Sequence, residues 1–451
     1  MSDWKRILSL FSAIASLSAC APNARYDLVV NNVSVVDMDT GESAVRSIGV
    51  NGQRIETLSK AKLKGRLAID GTGLWAIPGL WDMHVHISDR SFFDLFVENG
   101  VVGVRDMGGD ATKPSDGCES INIETLHGWR AEIEAGERLG PRIVAAGPIA
   151  NGNPGANHLL ATTPESARGA VAEIVLRGGD FVKVYENIPP AAFRALADEA
   201  RMRNLDFAGH VSEETLTIIE ALEQGQRSIE HVRSHLLICF AESDAEMEAF
   251  YDADGWTDED RLWGAKHRAL CPEIWSRLRD GETWVTPTLA VEQTRYDGEK
   301  PGFENDARRA PLPVSIRSAV ADFSERLRMR SNEERAEAEA WMPAQFAFVA
   351  KAKKEGAPML AGSDAACEGV IPGYGLHDQL SLFVSAGLTP LEALRTATIE
   401  PAAYFRVSDK RGRINADYDA DFLVLRADPM KDIRAAQQVA FVILRGRAID
   451  R

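Results

Sequence analysis

The distribution of apolar and polar positions divides the chain into a middle and two ends that resemble each other. From Arg25 to about Ala76 the apolar residues fall in short β-rich runs: Leu28-Val29-Val30, Val33-Ser34-Val35-Val36 and Ser47-Ile48-Gly49-Val50. They are separated by Asn31-Asn32, Gly41 and Asn51-Gly52, and Asn-Gly is a hairpin signal. Asp421-Phe422-Leu423-Val424-Leu425 and Val439 to Leu444, followed by Arg445-Gly446, have the same character. Strands at both ends predict one small β-sandwich domain built from residues 21–76 and 408–451. Between the ends, apolar runs alternate with helical patterns, as in parallel βα units. The runs are 77–87, 101–105, 142–146, 181–185, 206–210, 228–231, 284–288 and 359–364. Eight such runs are what a TIM (β/α)8 barrel needs, so the expected class is α/β, with the barrel over residues 77–407. Two connections, 231–284 and 288–359, are long enough to be either functional lids or solvated helical insertions.

The first residues stand apart from this pattern. Lys5 and Arg6 precede an apolar stretch from Ile7 to Leu17, which is the length of a signal-peptide core and too short to span a bilayer. Leu17-Ser18-Ala19-Cys20 resembles a bacterial lipobox. That resemblance implies removal of residues 1–20 with the leader, acylation of Cys20, and an exported, membrane-anchored lipoprotein. Ala21 after the cysteine implies the periplasmic side of an outer membrane; the other reading is plain secretion with cleavage nearby. A net charge of -16 and a pI near 5.2 exclude the basic stripe of a nucleic-acid binder. Cys239 and Cys271 bracket an acidic segment, which they either staple as a disulfide or flank as buried thiols. There is no Cys-x-x-Cys pair for a thiolate metal site.

The candidate chemistry begins in the first barrel strand, Ile77 to Ile87. Read as one strand, it turns Asp82, His84 and His86 to one side and Met83, Val85 and Ile87 to the other. Two imidazoles on one pleat can reach one metal ion, although such a pair also occurs on an ordinary half-buried strand. Catalytic groups of a TIM barrel sit at the C-terminal ends of its strands. Those ends carry Lys183, His210, His231 and Asp364. Singly, each has an ordinary reading: a snorkelling lysine, core histidines, a helix-capping aspartate. Lys183 shares a face with Phe181 and Tyr185 and points inward, where burial lowers the pKa of an amine.

The string Pro78-Gly79-Leu80-x-Asp82-x-His84-x-His86 resembles the first-strand motif of the amidohydrolase superfamily, and the order of the later residues resembles its binuclear subtype. The resemblance implies two divalent metal ions. His84, His86, Asp364 and Lys183 as N6-carboxylysine would hold the first, and Lys183, His210 and His231 the second. Oxygen and imidazole donors suit zinc, and manganese or iron also fit them. The implied reaction is attack by a metal-bridged hydroxide with Asp364 as general base, on an amide or peptide-like bond of a small molecule. The pattern is nearest to prolidase-like and imidazolonepropionase-like amidohydrolases. Imidazolonepropionase lacks the bridging lysine, so Lys183 favours a dipeptidase-like enzyme acting on a dipeptide or N-acyl amino acid. The alternatives are ester, lactone or phosphoester hydrolysis at the same centre, or a binding lipoprotein without catalysis. Candidate substrate contacts are His158, at the end of the Gly-rich loop 151–158, with Tyr185, Arg233 and Arg295. Each also reads as a turn histidine, a core tyrosine or a surface arginine. His377 reads as structural, and His127, His235 and His267 have no assignable role. Oligomeric state is open.

Overall fold

Gly79 separates the two parts of the molecule. In the computed structural model, which describes residues 25–114, 117–155, 157–211, 216–253 and 257–450, the run 77–87 is two strands rather than one. Trp75–Pro78 joins the sheet formed by the chain ends, and Leu80–Val85 begins the middle of the chain. The Gly79 N–H bonds to the Asp421 carbonyl at 3.0 Å, and a Cβ at this position would lie 2.4 Å from Val102 Cγ2. No side chain fits where the backbone changes partners. The leader and Cys20 lie outside the described residues.

The expected assembly of both termini is present. Tyr26–Val36, Ser43–Asn51, Arg54–Ser59, Gly65–Asp70 and Trp75–Pro78 join Phe422–Leu425, Val439–Leu444 and Arg447–Asp450 in one eight-stranded sheet. Trp75–Pro78 pairs antiparallel with Phe422–Leu425 and links the two ends. The hydrogen bonding is branched: Gly65–Asp70 pairs with Tyr26–Val36 off the main path. Alternation along the strands turns Leu28, Val30, Ile48, Ile55, Phe422 and Val424 into a core of their own.

In the middle, Leu80–Val85, Val101–Asp106 and Arg142–Ala145 form a parallel three-stranded sheet. Ile149–Asn151, Val182–Val184, Phe207–Gly209, Ser228–Glu230 and Trp284–Thr286 form a second parallel series, with His158–Leu160 at its edge. The eighth expected strand is not a regular one. Residues 359–364 make isolated bonds to neighbours on both sides: Leu360 N–H to the Val285 carbonyl (2.9 Å), and Met83 N–H to the Ala361 carbonyl (2.8 Å). Two local features interrupt its ladder. Gly362 is so close to the first strand that a Cβ would meet His84 Cβ at 2.6 Å, and Asp364 turns the backbone left-handed at φ +63°.

Both long connections are helical. Asp244–Ala253, Asp258–Arg268 and Cys271–Asp280 fill the first, and Leu289–Asp297, Val314–Arg328 and Asn332–Glu355 the second. Cys239 and Cys271 form a disulfide, and so do Cys118 and Cys367, a pairing the sequence pattern did not indicate. Among the described residues no helix is long and apolar enough to cross a membrane.

Candidate metal centre and active site

Four histidines from three strand ends meet in one buried group. His84 and His86 project from the same side of the first strand, with ring centroids 5.6 Å apart. His231 lies 4.9 Å from His84, and His210 lies 4.9 Å from His231, centroid to centroid. Each ring is oriented through Nδ1. His84 Nδ1 donates to Glu230 Oε2 (2.8 Å), His86 Nδ1 to the Gly108 carbonyl (2.8 Å) and His210 Nδ1 to Glu186 Oε1 (2.6 Å). His231 Nδ1 pairs with the Thr288 hydroxyl at 2.6 Å. Such outer partners set the tautomer and aim Nε2 of a metal-binding histidine. Asp364 Oδ1 lies 3.5 Å from His84 Nε2 and 3.4 Å from His86 Nε2. Both separations exceed a good hydrogen bond, and Oδ1 is buried without a hydrogen-bond partner among the described residues. One ligand atom from each of His84, His86 and Asp364 lies within 4.8 Å of the others, a spacing that suits a shared cation.

Backbone geometry aims these groups. His231 (φ +65°), Thr288 (φ +48°) and Asp364 (φ +63°) are left-handed non-glycine residues at strand ends, a conformation that costs energy and clusters at functional sites. Gly209, just before His210, has φ +143°, and a Cβ there would lie 2.0 Å from the Val184 carbonyl oxygen.

Lys183 is buried on the strand Val182–Val184, its Nζ 5.9 Å from the centroid of the Tyr185 ring. Burial pushes its amine down to about 8, against the pull of the Glu230 and Asp364 charges. The Lys183 charge in turn acts against protonation of His84, His86, His210 and His231. Burial and the nearby Lys183 and His84 charges hold His210 and His231 well below the ordinary imidazole range. They are neutral, the form that binds metal. For Asp364, burial alone would raise the carboxyl. Interactions with His84, His86 and His231 outweigh it and hold the group well below the usual carboxylate range.

A charged layer beneath the histidines was not anticipated. Arg105 is fully buried and donates to the Met83 carbonyl, Ser228 Oγ, Tyr404 Oη and Glu230 Oε1, each at 2.7 Å. Glu230 thus bridges Arg105 to His84. Burial would raise Glu230, but the Arg105 charge and the His84 hydrogen bond take it far below its ordinary value. Asp82, on the His84 side of its strand, is held by Ser363 Oγ (2.5 Å) and the Ser363 N–H (2.9 Å), and burial raises it to about 7. Asp106 accepts from the N–H groups of Ile87 (2.7 Å) and Gly108 (3.0 Å) and from Ser120 Oγ (2.8 Å). The signal for these residues is a charge inside an otherwise apolar run, as in Val101-Val102-Gly103-Val104-Arg105-Asp106.

The residues expected to contact substrate are placed as follows. The Tyr185 ring is 4.3 Å from His210 and 5.6 Å from His158. His158 Nδ1 accepts from Asn151 Nδ2 at 2.8 Å. Arg233 is half-exposed and donates to Glu186 Oε1 at 2.9 Å. Arg295 is bound by Glu292 (2.8 Å) and Glu368 (2.5 Å), so its charge is already met by two carboxylates. His377 is buried, with Nε2 on the Asn99 carbonyl at 2.8 Å, and His267 stacks on Trp263 at 4.1 Å.

Comparison with known proteins places this arrangement. The sequence matches the profile of the Amidohydrolase family over residues 75–243 and 310–449. Ochratoxinase of Aspergillus niger is 22% identical, over 80% of this chain and 72% of its own length. Among solved structures, a putative prolidase from Bifidobacterium longum superposes with a TM-score of 0.68 at 23% identity, covering 94% of each chain. A Xaa-Pro dipeptidase with methionine bound in its active site gives a TM-score of 0.66 at 19% identity, covering 94% of this chain and 100% of its own. Neighbours of this fold imply a TIM barrel with a second domain, matching the division at Gly79.

Proposed function

The chain belongs to the amidohydrolase family, and on that premise we propose that it is a binuclear metal-dependent hydrolase cleaving the amide bond of a dipeptide or N-acyl amino acid. Membership supports metal-dependent amide hydrolysis in general. The observation that carries the finer reading is the meeting of His84, His86, Lys183, His210, His231 and Asp364 in one buried group. The group fits a cation pair: Asp364 presents a buried, partnerless oxygen, and each imidazole is turned by a partner on Nδ1. Two divalent ions, zinc by the nature of the donors, would be held by His84, His86 and Asp364 on one side and by His210 and His231 on the other, with Lys183 as N6-carboxylysine between them. Bound there, they supply an acidic water and a Lewis acid for the carbonyl.

The chain's own groups do the rest. Asp364 is ionised at neutral pH and can take a proton from the attacking water and deliver it to the leaving amine. Tyr185, beside His210, can donate to the substrate carbonyl. Arg233, half-exposed at the rim, can meet the carboxylate of an amino acid product, with His158 nearer Tyr185. Arg295 acts through its two carboxylate partners, shaping the rim. The peptide-like substrate is supported by the prolidase and Xaa-Pro dipeptidase among its structural neighbours.

The test is metal quantitation of the purified protein coupled to a panel of dipeptides, N-acyl amino acids, lactones and aryl phosphotriesters. A stoichiometric metal pair with turnover of dipeptides or N-acyl amino acids is expected. Turnover confined to lactones or phosphotriesters would overturn the substrate class. A metal pair without turnover of anything would return the chain to a binding role. We also infer a lipid anchor at Cys20. Detergent-phase partitioning of the exported protein that is unchanged in Cys20→Ser would refute it.

A further inference from the structure

The Cys118–Cys367 bridge joins the two loops that flank the histidine-bearing strand. Leu80–Val85 lies between Val101–Asp106 on one side and residues 359–365 on the other. The loop after Val101–Asp106 supports His86. Its Gly108 carbonyl takes the Nδ1 proton, and its Ile121 N–H bonds to the Ile87 carbonyl at 2.9 Å. The turn on the other side begins at Asp364, whose carbonyl accepts the Cys367 N–H at 2.8 Å, and continues to Glu368, the partner of Arg295. The two backbones already touch: a Cβ at Gly117 would lie 2.7 Å from the Ala366 carbonyl oxygen.

The bridge therefore spans the support of His86 and the turn carrying Asp364, groups whose facing atoms lie 3.4 Å apart. The two cysteines are 249 residues apart in sequence, so the bridge ties supports that the backbone joins only by a long path. Cys239–Cys271 makes a useful contrast. It closes a separation of only 32 residues within the first helical connection and touches neither loop that the first bridge joins.

We propose that the Cys118–Cys367 disulfide is a positioning element of the metal centre, so that metal retention and turnover depend on its being closed. This rests on the metal-hydrolase reading above. The bridge is reachable, because Cys118 and Glu368 line a cavity of about 520 Å³ against the helix Val314–Arg328. A water-soluble phosphine opens it in a balanced step. Phosphorus attacks one sulfur and the S–S bond breaks; water then supplies the oxygen of the phosphine oxide and the two protons of the resulting thiols.

The experiment compares metal-loaded wild type with Cys118→Ser/Cys367→Ser and with Cys239→Ser/Cys271→Ser. The readouts are metal release to a chelator, kcat and KM, and amide exchange at Ile87, Ile121 and Cys367 in metal-free protein. The first variant should lose metal about tenfold more readily and fall about tenfold in kcat with KM little changed, as for loss of an outer support. Exchange at the three amides should rise. The second variant should stay within about twofold of wild type on every readout. Should the serine variant not fold, phosphine treatment of folded Cys239→Ser/Cys271→Ser opens this bridge alone; after the phosphine is removed, oxidised glutathione, itself reduced to two thiols, re-forms the disulfide and with metal resupplied should restore metal and turnover. Equal losses in both variants, or none in the first, would overturn the proposal while leaving the metal reading intact. A wild type that retains no metal would overturn both.

Discussion

Glu230→Gln isolates what the buried Arg105–Glu230 pair does for His84. The substitution keeps shape and removes one negative charge. Arg105 then remains fully buried with neutral acceptors alone, the Met83 carbonyl, Ser228 Oγ, Tyr404 Oη and the new amide oxygen, and no anion in contact. A buried cation left without its counter-charge costs about 3 to 5 kcal/mol. A metal-binding histidine that loses a carboxylate partner typically costs its site about 10- to 100-fold in affinity. Denaturant unfolding of the metal-free protein should therefore show a loss of about 3 to 5 kcal/mol, and metal titration a matching drop in affinity. The double variant Arg105→Met/Glu230→Gln separates the two effects: stability should largely return because the stranded cation is gone, while the metal affinity stays low. The sign of the pH dependence follows from Glu230. Its folded pKa is depressed, so its stabilisation is present above the ordinary carboxylate range and drains away as the pH falls toward the folded value. The gap between wild type and Glu230→Gln should narrow on acidification. Wild-type stability and metal affinity in Glu230→Gln, or a gap that widens on acidification, would refute the reasoning.

Three further outcomes follow from the same geometry. Asp364→Asn should keep its fold by circular dichroism and lose about 10²- to 10⁴-fold in turnover, since an amide cannot carry the proton; undiminished turnover would remove Asp364 as base. Lys183 should take up carbon dioxide only as its neutral amine. Isotopically labelled bicarbonate should give a carbamate resonance that grows as the pH rises through about 8 and is absent in Lys183→Ala; a pH-independent signal, or one retained in the variant, would argue against this residue. Gly209→Ala forces a Cβ to within 2.0 Å of the Val184 carbonyl at a left-handed position, so it should destabilise the fold by about 1 to 3 kcal/mol and weaken metal binding through His210; unchanged melting and metal content would show that the strand can yield.

Much of this protein is written locally in its sequence. β-rich apolar runs bounded by turn signals, Leu28 to Val50 and Val439 to Leu444, specified strands at both ends. The strand–helix rhythm of the middle specified parallel pairing; strand-end position made His84, His86, Lys183, His210, His231 and Asp364 candidates, and resemblance to the amidohydrolase motif order joined them into one ligand set. Pairing between distant parts was not legible, since it depends on which backbones meet. Only the fold left 359–364 without a regular ladder and brought Cys118 to Cys367. Only the fold set Arg105 and Glu230 beneath His84 and gave Arg295 two carboxylate partners. Periodicity along a chain reports which face is buried; the partner a buried charge finds there is decided by residues far away in sequence, through the desolvation that makes an unpaired charge untenable.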